Sequence, residues 1–124
     1  MAYTFTMEFV ETRAFTRWLK EYLTDDEYRR LQAFLASSPE AGDLIPATGG
    51  LHKLRWSQQK RGKGKRGGVR VIYCLFPEDL QIYLMTLYDK EEANDLTPDQ
   101  KRFLRNALDQ EKRERKTARG RNRR

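Results

Sequence analysis

Two hydrophobic periods alternate along the chain. Tyr3, Phe5, Met7 and Phe9 recur at every second position, which predicts a first strand with one buried face. The period then changes to that of a helix. Phe15, Trp18, Leu19, Tyr22 and Leu23 mark a first helical stripe, and Thr24 with Glu27 forms the T-x-x-E capping box of a second helix carrying Tyr28, Leu31, Phe34 and Leu35. The Pro-, Gly- and Ser-rich "SSPEAGDLIPATGG" reads as a loop. After it "LHKLRWS", "GVRVIYCLF" and "LQIYLMTLY" read as three strands, the last two joined at "PED" as an antiparallel hairpin. A final helix opens at Thr97, with Pro98 at its first position and Gln100 completing a second capping box, and is expected to bury Phe103, Leu104, Ala107 and Leu108. The order β-α-α-β-β-β-α predicts an α+β fold, a small antiparallel-rich sheet with helices on one face and the other face left available. One domain over residues 1–110 is expected, followed by a basic extension over 111–124 that reads as partly disordered.

Charge divides this picture unevenly. The 124 residues carry a formal net charge of +7, with 38% apolar and 35% charged positions, enough apolar content for one core. Residues 1–43 hold eight acids and five bases, 44–77 no acid and eight bases, 78–110 eight acids and four bases, and 111–124 two acids and eight bases. Positive charge is therefore gathered into one internal segment and one tail on a mildly acidic scaffold. A polyanion, most commonly nucleic acid, is the partner such a surface suits. The tail is either a solvated end or a tether to RNA. No stretch approaches eighteen consecutive apolar residues and the N-terminal sequence lacks signal-peptide features, so a cytoplasmic protein without a membrane partner is expected. The single Cys74 lies inside an apolar strand and reads as a small buried hydrophobe.

Strand alternation sorts the candidate chemistry. His52, Leu54 and Trp56 share one face and go to the core, while Lys53 and Arg55 share the other. His52 has no second histidine as an acid or base partner and reads as structural. Arg70 is the one charge in "VRVIYCLF"; it must pair with a buried acid or point into a functional concavity, where it would converge with Lys53 and Arg55. Between these strands, "QQKRGKGKRGG" presents Lys60, Arg61, Lys63, Lys65 and Arg66 among four glycines. This is either a loop that follows a phosphate backbone or a long solvated hairpin connection. The basic region offers no Cys/His set or carboxylate cluster with metal-ligand spacing, so neither a metal nor another cofactor is expected.

The stretch "TGGLHKLRW…GKGKRGGVRVIYCLF…IYLMTLYDKEEANDL", with the preceding strand-helix-helix and the following helix, resembles the HigB/RelE group of bacterial type II toxins, in particular a subgroup with a GKGKRGG loop. The similarity spans about residues 3 to 110. It implies a RelE-like α+β fold, ribosome-dependent cleavage of translated mRNA in the A site, contacts to 16S rRNA, and silencing by a cognate antitoxin, a helix-turn-helix protein like HigA. It also places catalytic roles on Lys53, Arg55, Arg70 and Lys90. Family members carry a catalytic tyrosine shortly after the last strand, where this chain has Leu96; Tyr88, at the end of that strand, is the substitute we infer for base stacking or proton transfer.

The chemistry follows independently of the resemblance. RNA supplies its own nucleophile, so a metal-free site has to stabilise a dianionic phosphorane and help the 5′-oxygen leave. Arginine suits the first task, because its planar guanidinium donates two hydrogen bonds to phosphoryl oxygens and keeps its charge. Lys53 would act as a base only with a pKa lowered from about 10.4, as neighbouring cations favour. Two other readings stand beside the endoribonuclease: a non-catalytic RNA- or ribosome-binding module, and a ParE-like gyrase inhibitor on the same fold.

Overall fold

The structure, a computed structural model, describes residues 6–56, 68–89 and 95–122. Five strands form one sheet: β1 (Glu8–Glu11), β2 (Asp43–Leu44), β3 (His52–Trp56), β4 (Val69–Phe76) and β5 (Gln81–Asp89), in the order β1-β5-β4-β3-β2. All neighbours are antiparallel except β1, which lies parallel to β5. Helices α1 (Arg13–Tyr22) and α2 (Asp25–Ser37) follow β1, and α3 (Pro98–Asn122) closes the chain. The α+β class expected from periodicity is the one observed.

The chain divides into two compact units, the first Met1–Ile45 with Gly50–Asp95, the second Pro46–Gly49 with Leu96–Arg124. In the first, α1 and α2 lay Phe15, Tyr22, Leu23, Leu31 and Leu35 against Leu54, Val69, Val71, Tyr73, Ile82, Leu84 and Leu87 of the sheet. The capping box of α2 forms as read from sequence: Glu27 N–H donates to Thr24 Oγ1 at 3.1 Å, and Thr24 N–H donates to the Glu27 carboxylate at 2.9 Å. Tyr73 ties the sheet to the α2–β2 connection, its hydroxyl donating to Pro39 O at 2.7 Å and accepting from Gly42 N at 2.9 Å. Gly42 permits this approach, since a Cβ there would meet the Tyr73 ring and Lys53 O at 3.0 Å.

One residue, Thr12, joins three elements. Its N–H donates to Leu84 O at 3.1 Å, ending β1; its hydroxyl accepts from Phe15 N at 3.1 Å, capping α1, and donates to Met85 O at 2.6 Å. Met85 is the extra residue of a bulge, because Ile72 pairs with Thr86 whereas Tyr73 pairs with Leu84. A bulge shifts the alternation by one residue. Ile82 and Leu84 face the core before it and Leu87 after it.

Several expectations are corrected. The first strand covers residues 8–11; Tyr3 and Phe5, expected on it, lie outside the described residues, while Met7 and Phe9 pack on the core. The expected loop contains the two-residue β2, whose side chains are exposed and leave no alternation to read. The face opposite α1 and α2 is not open throughout: Ile72 and Cys74 are fully buried, which accords with a strand apolar at almost every position.

The second unit is built on α3, with Thr97 and Gln100 forming the expected reciprocal cap. Residues 111–122, expected as a partly disordered tail, continue this helix without a break at residue 110. Their composition favours that outcome, with Glu111 ion-paired to Arg115 at 2.7 Å and Gln110 donating to Glu114 at 3.2 Å, both at i,i+4. Leu104 and Leu108 are buried, but Phe103 is 73% exposed, because a neighbouring position lies about 100° away around a helix. Among the described residues, no helix is long and apolar enough to cross a membrane.

Candidate functional site

The outer sheet face, opposite α1 and α2, carries a row of basic and phenolic side chains set by register. Arg55 of β3 pairs with Arg70 of β4, and Arg70 pairs with Tyr88 of β5. Directly opposed residues on neighbouring antiparallel strands share a face with Cβ atoms about 5 Å apart. The three side chains therefore form one line across three strands. Lys53, two residues before Arg55, joins the same face one step along β3.

Tyr88 stands in this row because of the bulge. Uninterrupted alternation from Ile82 and Leu84 would carry Tyr88 into the core; the extra Met85 turns Leu87 inward and Tyr88 outward beside Arg70. The Thr12–Met85 hydrogen bond fastens the bulge, so the first turn of α1 holds the position of a side chain on the far face.

Two members of the row are buried polar groups without a mate. Arg70 is 6% exposed, and its Nη1 has no hydrogen-bond partner; the Tyr88 hydroxyl is likewise buried and unpartnered. Buried polar groups ordinarily find partners, and two such groups at paired positions make this face a candidate ligand site. Both groups can donate, which suits anionic oxygens. Burial, reinforced by the charge of Asp95 and opposed by that of Arg70, raises the Tyr88 phenol above the ordinary 10.0. At neutral pH it is a protonated donor.

Gly68 closes the site at the start of β4. Its φ of +59° is left-handed, and a Cβ there would lie 3.3 Å from Trp56 O and 3.4 Å from Arg70 Nη1. Only glycine adopts this backbone without strain.

Of the residues singled out from sequence, Lys53, Arg55, Arg70 and Tyr88 come together on one face. Lys60, Arg61, Lys63, Lys65, Arg66 and Lys90 lie outside the described residues. His52 is buried and stacked on Tyr73 with ring centroids 5.1 Å apart, its Nδ1 3.1 Å from Gly50 O, a contact that takes the Nδ1–H tautomer. The residue missed by pattern is Asp95, whose Oδ1 lies 3.6 Å from Lys53 Nζ. Its position after β5 belongs to no hydrophobic period that would place it on this face. Among the described residues no group of three or more His, Cys, Asp or Glu is arranged to hold a metal ion.

No protein-family model matches the chain. Among solved structures, it is similar to a double mutant of the Escherichia coli toxin RelE in the free state, with 18% sequence identity, a TM-score of 0.47, and coverage of 71% of this chain and 87% of that chain.

Proposed function

We propose that this protein is the toxin component of a type II toxin–antitoxin system, a metal-independent endoribonuclease that cleaves translated mRNA in the ribosomal A site. The observation that carries the reading is the Arg55–Arg70–Tyr88 row, two cations and a neutral phenol in line on one sheet face, with hydrogen-bonding capacity left over on two of the three. Arg70 and Arg55 bind the non-bridging oxygens of the scissile phosphate and stabilise the dianionic phosphorane, the task for which paired guanidinium donors are best suited. The 2′-oxygen attacks phosphorus as its proton passes to solvent, forming the 2′-O–P bond. The P–O5′ bond breaks as Tyr88 donates its proton to the departing 5′-oxygen. The products are a 2′,3′-cyclic phosphate, which opens to a 3′-phosphate, and a 5′-hydroxyl. Lys53 adds positive charge beside the phosphate, and Lys90 is assigned the remaining basic role. Lys60, Arg61, Lys63, Lys65 and Arg66 follow the RNA and 16S rRNA backbone, a salt-sensitive contact. A cognate helix-turn-helix antitoxin of the HigA kind silences the protein in the bacterial cytoplasm.

Primer extension on a defined mRNA, with and without programmed ribosomes, tests this reading using wild-type protein and Arg70→Ala. Discrete cuts inside codons that require ribosomes and vanish in the variant are expected. Intact mRNA with a folded, ribosome-bound protein would replace the reading with a non-catalytic binding module. Intact mRNA without ribosome binding would turn attention to gyrase.

A further inference from the structure

The internal segment 44–77 carries eight bases and no acid, yet its cations are not left to themselves on the sheet face. Asp95 reaches the face from beyond the end of β5 and sets its carboxylate 3.6 Å from Lys53 Nζ, with the two side chains 51% and 32% exposed. The same carboxylate is close enough to Tyr88 for its charge to act on the phenol. An anion that belongs to the protein thus stands among the groups assigned above to the RNA phosphate. A carboxylate and a phosphodiester each bring one negative charge and ask for the same ammonium donors, so they compete for Lys53.

The strengths of the contacts decide which anion holds the site. A partly exposed Lys–Asp pair contributes a factor of about five or less, weak enough to be exchanged. A lone phosphate arriving at Lys53 gains one contact at the expense of the existing one and meets the repulsion of Asp95. An RNA backbone reaches Arg55 and Arg70 at the same time as Lys53, and adds the release of several counterions. We propose that Asp95 is a specificity-determining residue, an internal anion that holds Lys53 and yields it only to an extended phosphate chain spanning the Arg55–Arg70 row. The inference rests on the reading of this face as an RNA-phosphate site and names what that site refuses.

Binding is measured on the full chain by fluorescence anisotropy, using a labelled 2′-O-methyl RNA oligonucleotide that cannot be cleaved and inorganic phosphate as competitor. Asp95→Asn, Asp95→Glu, Lys53→Gln and the Lys53→Gln/Asp95→Asn double variant are compared at one salt concentration. Asp95→Asn is expected to tighten RNA binding about fivefold and to make inorganic phosphate an effective competitor, which it is not for the wild type. Asp95→Glu, which retains the anion, stays within about twofold of the wild type. The gain disappears in the Lys53→Gln background, an outcome that a purely structural role for Asp95 would not produce. Unchanged or weaker RNA and phosphate binding in Asp95→Asn, or the same gain without Lys53, overturns the proposal while leaving the RNA reading intact if the wild type binds and cuts. If no variant binds RNA but Asp95→Asn gains affinity for inorganic phosphate in a direct calorimetric titration, the internal anion stands and the RNA reading falls.

Discussion

Replacing Arg70 by methionine should make the free protein more stable. The guanidinium is 6% exposed with Nη1 unpartnered, and Arg55 faces it directly across the strand pair. A buried donor without a partner costs about 1–3 kcal/mol, and like charges directly opposed on neighbouring strands cost a further few tenths to about 1 kcal/mol. Methionine keeps an unbranched stem of similar reach and removes both terms, against some loss of contact around the guanidinium. A net gain of about 1–3 kcal/mol is expected, since replacing unpaired buried charge with apolar volume is commonly favourable. For a chain of this length that corresponds to roughly 3–10 °C in Tm. Urea unfolding followed by tryptophan fluorescence reads it directly, through a midpoint that rises while the slope is unchanged. Cleavage should be lost in the same variant, and Arg70→Lys should lose most of it despite retaining the charge, because an ammonium cannot make the bidentate contact. An Arg70→Met protein destabilised by more than about 1 kcal/mol would refute the argument, because it would show that Arg70 is satisfied by the fold rather than held open for a ligand.

Other outcomes follow from the same geometry. Gly68→Ala should lose about 1–2 kcal/mol in urea unfolding from the left-handed backbone, with its methyl 3.3 Å from Trp56 O; unchanged stability would show that the φ of +59° carries no strain. Thr12→Val should cost about 1–3 kcal/mol, combining a lost helix cap with a lost anchor on the bulge, and should broaden the Tyr88 ring signals in NMR spectra. Tyr28, Tyr73 and Tyr88 are all raised above 10.0, Tyr28 by burial and then by its hydrogen bond to Glu11 at 2.7 Å, Tyr73 and Tyr88 by burial first. Because the folded state holds these protons more tightly than the unfolded chain, their contribution is complete below pH 10 and is lost as pH rises through the folded values. Absorbance titration at about 295 nm should therefore show these tyrosines ionising late and together with unfolding; three normal titrations in a folded protein would contradict the burial.

The site was legible where alternation is regular. Lys53, Arg55 and Arg70 lie on β3 and on the regular part of β4, and counting by twos places all three on the outer face. Tyr88 is a different case, because counting by twos from Ile82 and Leu84 sends it inward. The signal was present, an apolar spacing of two between Ile82 and Leu84 followed by three to Leu87, which is the mark of an inserted residue. Asp95 left no such trace, since it lies beyond the end of β5 and outside every alternation that could be counted. Helical spacing found α1 and α2 with their caps, but misjudged α3, where Leu104 and Leu108 alone define the buried stripe and polar residues sustain the helix through i,i+4 pairs. The two exposed residues of β2 offered nothing to count.

The pairing of β1 with β5 also governs how the molecule assembles. Hairpin β4–β5 closes over the four residues 77–80 and can form early, whereas Thr12 meets Met85 across a separation of 73 residues, a contact that carries the full entropy of closing a long loop. During synthesis the N-terminal strand leaves the ribosome first and has no sheet to join until β5 has followed it. The bulge that turns Tyr88 toward Arg70 is fastened only in that late step. A chain interrupted before β5 possesses Lys53, Arg55 and Arg70 but not their alignment with the phenol, so the Arg55–Arg70–Tyr88 row is among the last features of the fold to mature.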